Sequence, residues 1–247
     1  MAPPPASPFE VPAPTLPVRG SPGTRVPVRR VFCVGKNYAK HAAELGCDPE
    51  KEPPVFFLKD RECVVACPGG DGAAPTPVRY PAATEALHHE AELVLVVGRR
   101  APEGARIPRD AAMGYVWGWA AGLDMTRRDL QDAARREAGP WDLSKTFDSA
   151  APVSAVVPAA EWSPRPDAEV TCDVNGARRQ RGTLGEMTWD VPAILHHLSA
   201  YVTLLPGDLV FTGTPEGVSA VRPGDVVTGA VEGLPPVAVL YTEGGAA

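Results

Sequence analysis

The feature that most constrains the fold is an unbroken apolar run, Leu93–Val97, inside the stretch ALHHEAELVLVVG. A short run rich in β-branched side chains predicts a strand that is buried on both faces. Glu90 and Glu92 lie at its beginning, and residues two apart on a strand point to the same face. Because neighbouring carboxylates repel each other, a buried strand that starts this way needs a positive partner for them.

Short strands separated by turns dominate the rest of the chain. Strands are predicted at RRVFCVG (29–35), at PPVFFLK (53–59) and in the apolar run before Asp124, and Asn175-Gly176 predicts a hairpin turn. Helices are predicted at 37–45, at 126–139 with Thr126 as N-cap, and at about 192–203. These elements do not alternate as βαβ units, so we expect a β-rich α+β fold with a few short helices.

The domain organisation follows from composition. Residues 1–23 are rich in Pro, Ala and Ser, a composition that buries little and lacks backbone donors, so they predict a flexible N-terminal arm. Residues 24–247 are expected to form a single catalytic domain, since no internal linker or long repeat interrupts them.

Charge and cysteine usage exclude several classes of function. The net charge is -6 and the pI about 5.4, and there is no basic cluster, which argues against nucleic-acid and anionic-membrane partners. The five cysteines are irregularly spaced, so a zinc knuckle or a disulfide framework is not expected. Reduced thiols and the lack of an N-terminal apolar signal core predict a cytoplasmic location.

Three acids are candidate metal ligands. Asp124 follows the apolar run YVWGWAAGL, so it is expected at the end of a buried strand, as Glu90 and Glu92 are expected at the start of one. A set of carboxylates suits a hard cation such as Mg²⁺. The alternatives are that the two glutamates are solvated on a strand edge and that Asp124 stabilises the N-terminus of the next helix.

Two further sites offer acid–base chemistry. His41 and Glu44 are three residues apart on a predicted helix, where they share a face; such a dyad can activate a water, although it can equally be a surface ion pair. Lys145, in WDLSKTFDSAAPVS, is flanked by apolar residues that alternate with it as on one face of an extended stretch. It is a candidate for neutralising a substrate carboxylate, with an ordinary solvated lysine as the alternative.

Several separated stretches together resemble one known family. They are VGKNYAKHAAELG, PPVFFLK, LHHEAELVLVVG, GWAAGLDMTRRDLQ, GPWDLSKTFDSAAPVS and LVFTGTPEGV. In this order, from about Arg29 to about Leu240, they are similar to the fumarylacetoacetate hydrolase family, and most of all to its short, single-domain acylpyruvate and fumarylpyruvate hydrolases. The resemblance implies a mixed β-sandwich roll that forms a homodimer. Longer members carry an extra N-terminal domain and a further aspartate ligand, neither of which is found in this sequence.

The resemblance also implies a role for each matching residue. The metal ligands for Mg²⁺ or Mn²⁺ would be Glu90, Glu92 and Asp124. The catalytic residues would be the water-activating His41 and Glu44, together with Lys145. The substrate contacts would be Arg128, Gln131 and Thr214.

The implied activity is hydrolysis of the carbon–carbon bond of an acylpyruvate, which gives pyruvate and a carboxylic acid. The partner is then a small keto acid. Two alternatives use the same site: decarboxylation of oxaloacetate and keto–enol isomerisation. A third alternative, from another class, is a non-catalytic β-roll that binds metal or protein partners. His41, Glu44 and Lys145 argue against it, since metal storage would require none of them.

Overall fold

The computed structural model describes residues 9–39, 53–69 and 72–243. Its strands are β1 (Thr15–Pro17), β2 (Arg25–Pro27), β3 (Val31–Gly35), β4 (Val55–Lys59), β5 (Val64–Cys67), β6 (Thr76–Arg79), β7 (Leu87–His88), β8 (Ala91–Val97), β9 (Val116–Leu123), β10 (Thr126–Arg127), β11 (Ala151–Ser154), β12 (Val157–Pro158), β13 (Glu169–Val174), β14 (Ala177–Thr183), β15 (Leu209–Phe211), β16 (Ala220–Val221), β17 (Val226–Val231) and β18 (Val237–Thr242). Its α-helices are α1 (Arg128–Arg136), α2 (Asp142–Lys145) and α3 (Val191–Leu198). Short 3₁₀ helices lie at Arg61–Cys63, Arg109–Tyr115 and Leu184–Glu186.

Two mixed sheets form the body of the molecule. The larger has the order β4-β3-β15-β8-β9-β11-β5, with β12 beside β9, and the smaller has the order β14-β13-β17-β18-β6. Among the strands of the described residues, three pairs are parallel, namely β3 with β15, β5 with β11, and β6 with β18. The strand β17 packs across β8 and β9. Its Gly229 permits this approach, since a Cβ there would lie 2.9 Å from Leu123 Cδ2. The predicted β-rich sandwich is confirmed.

The strand β8 lies in the middle of the larger sheet and all of its residues are buried. It is antiparallel to β9 on one side and to β15 on the other. The predicted strand at Leu93–Val97 is therefore confirmed, and its lack of polar alternation has a physical cause. Both of its faces are covered, one of them by β17 of the second sheet, so neither face selects polar residues.

The structure differs from the predicted flexible arm at Thr15–Val18. Here β1 pairs with β2 and Leu16 has no exposed surface. Val18 forms a bridge with Val156 of the domain. Proline-rich composition suggested disorder, but Leu16 and Val18 are both buried and strand pairing attaches the segment to the domain. Residues 1–8 lie outside the described residues.

Local predictions of turns and helices had mixed outcomes. The hairpin turn is confirmed, since Asn175 and Gly176 have φ of 53° and 77° between β13 and β14, as a type I′ turn requires. The helix α1 begins at Arg128, and Thr126 lies in β10 instead of capping it. The helix α3 is capped by Asp190, whose side chain accepts from Ala193 N. It ends at Leu198, where the Ser199 hydroxyl accepts from Ile107 N and donates to His196 O.

No helix in the part of the chain that the structure describes is long and apolar enough to cross a membrane.

Candidate active site

The three predicted metal ligands converge where β8 begins and β9 ends. These strands are antiparallel neighbours, with Glu92 paired to Gly122, so the residue after β9 lies beside the residue before β8. The Asp124 amide donates to Glu90 O at 2.8 Å. One carboxylate oxygen from each of Glu90, Glu92 and Asp124 lies within 4.8 Å of the others, and all three side chains are buried. The alternative of solvated acids on a strand edge is excluded.

Among the described residues, three cations contact these acids. Lys145 and Arg128 were expected at the site from the resemblance, whereas Lys59 was not. Lys145 Nζ lies 2.8 Å from Glu90 Oε2 and 2.9 Å from Asp124 Oδ2. Arg128 forms an ion pair with Glu90 Oε1, and Lys59 Nζ lies 2.8 Å from Asp124 Oδ1. The positive partner that the sequence required for these acids is therefore supplied at least in part by side chains of the protein itself. The cations come from β4, α1 and α2, which the fold brings to one place.

Lys145 is held in a single position by three acceptors. Besides the two carboxylates, its Nζ donates to Thr126 Oγ1 at 2.7 Å, which accounts for all three N–H donors of an ammonium group. Burial by itself would lower the pKa of Lys145, but the charges of Asp124 and Glu90 outweigh it and raise the pKa above its ordinary value. Lys145 is thus protonated at neutral pH and suited to act as a fixed cation or proton donor.

The local structure around Lys145 differs from the predicted extended stretch. Lys145 ends the short helix α2, and Leu143 is 75% exposed instead of forming a wall. Trp141, one of the apolar residues expected to alternate with Lys145, does line the cleft, together with Phe57. Their rings are in edge-to-face contact, 5.8 Å between centroids. Lys145 Nζ lies 4.8 Å from the centroid of the Phe57 ring.

Glu92 is the acid that the surrounding cations neutralise least. It accepts from Gly213 N at 2.7 Å. Burial, reinforced by the charges of Asp124 and Glu90, raises the pKa of Glu92 well above its ordinary value. Asp124 Oδ1, although close to Lys59, makes no hydrogen bond and is buried. The site thus offers clustered carboxylate oxygens as metal ligands. Asp124 Oδ1 makes no hydrogen bond, and the negative charge of Glu92 is unfavourable in its buried position, so both suit a hard divalent cation.

The predicted substrate contacts line the same cleft as Glu90 and Glu92. Arg128 and Gln131 lie one turn apart on α1, both are buried, and the Arg128 guanidinium donates to Gln131 Oε1. Thr214 lies in a loop after β15. Its hydroxyl donates to Ala91 O and accepts from Gln180 Nε2, each at 2.8 Å.

The loop that carries Thr214 depends on a glycine and on a buried side-chain network. Gly213 has a φ of 99°, and a Cβ there would lie 2.7 Å from Asn37 Cβ. Gln180 Nε2 also donates to Pro215 O, while Gln180 Oε1 lies 2.9 Å from His89 Nδ1. This network orients the loop from behind the cleft. Sequence reasoning missed Gln180, which lies on a strand of mostly exposed polar residues.

His41 and Glu44 lie outside the described residues, so their predicted role as a dyad stays a prediction. Lys59 was missed, although a signal existed. It is the single charged residue of PPVFFLK, and a lysine that ends an apolar strand is a candidate for a buried ion pair.

Comparison with known proteins identifies the family of this chain. Residues 30–239 match the family model described as fumarylacetoacetate (FAA) hydrolase C-terminal. The structure is similar to that of fumarylpyruvate hydrolase from Pseudomonas aeruginosa in complex with Mn²⁺ and pyruvate, with a TM-score of 0.89 and 42% identity, covering 96% of this chain and 100% of that one.

Two curated relatives carry different activities in their names. The mitochondrial oxaloacetate tautomerase of Rattus norvegicus is 42% identical over 207 residues, which is 83% of this chain and 88% of the relative. The mitochondrial oxaloacetate decarboxylase of Dictyostelium discoideum is 38% identical over 206 residues, which is 83% of this chain and 90% of the relative. The family resemblance expected from the sequence motifs is confirmed, whereas the reaction is not singled out by these names.

Proposed function

Since the chain belongs to the fumarylacetoacetate hydrolase family, we propose that it is a divalent-cation-dependent enzyme that cleaves an acylpyruvate such as fumarylpyruvate. The observation that carries this proposal is the buried cluster of Glu90, Glu92 and Asp124. Glu90 and Glu92 line one cleft with Arg128 and Lys145, and Asp124 contacts Lys145 directly. The similarity to a fumarylpyruvate hydrolase over that chain's whole length supports it.

The metal ligands in this proposal are Glu90, Glu92 and Asp124, and the ion is Mg²⁺ or Mn²⁺. When bound, such a cation supplies Lewis acidity that polarises the oxygens of a 2-keto acid. The cation would also share the carboxylates that now hold Lys145 and Arg128. Lys145 and Arg128 would then have N–H donors to offer to the carboxylate of a keto acid.

Hydrolysis requires that water adds to the acyl carbonyl carbon and that the bond from this carbon to the pyruvate methylene breaks. The bonding electron pair passes to the pyruvate fragment as an enolate, which then takes up a proton. Lys145, which is buried and protonated, supplies positive charge beside this developing anion. It can also donate the proton that the enolate takes up. It is unsuited to take the proton from water, so that role falls to the proposed dyad of His41 and Glu44.

The second candidate is tautomerisation or decarboxylation of oxaloacetate. The names of the curated relatives favour it. Both reactions pass through an enol or enolate of a 2-keto acid, and neither needs an attacking water. The same acids, Lys145 and Arg128 serve them. A non-catalytic metal-binding role is disfavoured, because ion storage would have no use for a buried lysine held between two of the ligands.

A product assay tests the proposal. The purified protein is stripped of metal by a chelator, supplied with Mn²⁺ or Mg²⁺, and given fumarylpyruvate, acetylpyruvate or oxaloacetate. Fumarate plus pyruvate in a metal-dependent reaction supports hydrolysis, whereas turnover of oxaloacetate alone supports the second candidate. Glu92→Gln should abolish the activity, and Glu103→Gln, at an exposed ion pair with Arg100, is the matched control. Undiminished turnover after chelation would contradict the metal requirement.

A homodimer and a cytoplasmic location complete the proposal. The homodimer is tested by sedimentation of the purified chain. The location stays a prediction, since both curated relatives have the word mitochondrial in their names.

A further inference from the structure

Lys36 has an unusual backbone conformation at the edge of the cleft. It follows β3 directly and has a φ of 59°, a left-handed conformation that costs free energy for any residue with a Cβ. Glycine would adopt it without that cost. A lysine in this conformation that also lines the cleft indicates that its side chain has a use there, because such strain is concentrated at functional sites.

Lys36 also differs from the other cations that line the cleft. Arg128 and Lys145 are both bound to Glu90. Within the described ranges of the chain, Lys36 makes no ion pair with any carboxylate. It is half-buried, so its charge is less screened than that of a fully exposed lysine. This cation is therefore available to a ligand.

We propose that Lys36 binds the carboxylate at the far end of a dicarboxylate keto acid and so selects dianionic substrates over monoanionic ones. The inference rests on the proposed function for the placement of the keto-acid end against Glu90, Glu92 and Asp124. The rest of the substrate then lies in the same cleft, where Phe57 and Trp141 suit its carbon chain. A second carboxylate at the far end of the substrate then binds Lys36, which lines the cleft and pairs with none of the described acids.

The test compares two keto acids of equal length that differ in the far carboxylate. They are 2-oxoglutarate, a dianion, and 2-oxopentanoate, a monoanion, and their binding to the Mn²⁺-loaded protein is measured by calorimetry. Lys36→Gly should weaken 2-oxoglutarate about 10–100-fold, the range of a lost charge-assisted hydrogen bond. Binding of 2-oxopentanoate should change by less than about twofold, since it makes no such bond. Lys36→Arg should keep most of the preference.

The glycine variant separates this role from a loss of folding. Glycine accepts the left-handed conformation, so the melting temperature of Lys36→Gly should not fall. Equal weakening of both keto acids, or no weakening of either, would overturn the inference. So would an arginine variant that loses the preference as completely as the glycine variant. Because the readout is binding, it is independent of turnover: a wild type that converts none of the assayed keto acids would contradict the proposed function and leave the Lys36 comparison intact.

Discussion

Replacing Lys59 by methionine removes the charge that holds Asp124 from the side opposite Lys145. The Lys59 side chain has no exposed surface. Its Nζ lies 2.8 Å from Asp124 Oδ1, donates to Met125 O at 2.9 Å, and donates to Lys145 O at the end of α2. One ammonium group thereby joins the end of β9 to the helix that carries Lys145. Methionine keeps most of the apolar stem, so the variant deletes chiefly the charge and its three contacts.

The expected loss follows from what is left behind. Removing one partner of a buried ion pair costs about 3–5 kcal/mol, because the other charge remains buried without compensation. Asp124 Oδ2 keeps its contact with Lys145 at 2.9 Å, which places the loss near the lower end, at about 3 kcal/mol. For a chain of this size each kcal/mol lowers the melting temperature by about 2–4 °C, so a fall of roughly 6–12 °C is expected.

Urea unfolding and thermal melts of the metal-free protein measure this loss. Arg61→Met is the control. Arg61 lies only two residues from Lys59, and its ion-pair partner Glu62 is exposed. Such surface pairs contribute about 0–1 kcal/mol. A double-mutant cycle with Asp124→Asn should show a coupling of about 1 kcal/mol or more between the two sites. If Lys59→Met were no less stable than Arg61→Met, or if the cycle were additive, the assignment of Lys59 as the anchor of Asp124 would be refuted.

Four further outcomes are expected. Lys145→Met should lower kcat by about 10²–10³-fold, as for loss of one fixed donor in an active site, and unchanged steady-state kinetics would remove it from the site. Leu16→Ala should destabilise the chain by about 2–5 kcal/mol, because a buried leucine leaves a cavity; Val11→Ala, at an exposed position, should be near neutral in the same urea titration. Burial and two neighbouring carboxylates raise the pKa of Glu92 above its ordinary 4.5, so the folded metal-free protein holds that proton more tightly than the unfolded chain. Its free energy of unfolding should therefore fall as pH rises above about 4.5, and unfolding curves of Glu92→Gln in chelator should lack this decline. His41→Ala should lower hydrolysis by about 10²–10⁴-fold, as expected for a general base, without weakening Mn²⁺ binding in a titration of the same protein.

The acids of the site could be predicted from the sequence because their positions follow from local rules. Glu90 and Glu92 are two residues apart at the start of an apolar run, and strand geometry alone puts them on one face. Asp124 follows another apolar run and therefore ends a buried strand. The fold class and the hairpin at Asn175-Gly176 were accessible for the same reason, since strand pattern and turn chemistry act over a few residues.

The pairing of cations with the acids and the burial of the N-terminal strand depend on the tertiary structure. Lys59 and Asp124 are far apart in the chain, and no periodicity connects them. In the sheet, β3 and β15 separate β4 from β8, yet Lys59 Nζ contacts both Asp124 and the carbonyl of Lys145 at the end of α2. Leu16 is buried because β1 pairs with β2 and Val18 forms a bridge with Val156. The proline-rich sequence around Leu16 gives no sign of these long-range contacts. Local sequence thus determined which groups end each strand, whereas the pairing of charges across the cleft depended on long-range packing, because the energy of a charge is set by neighbours that the chain brings near only after it folds.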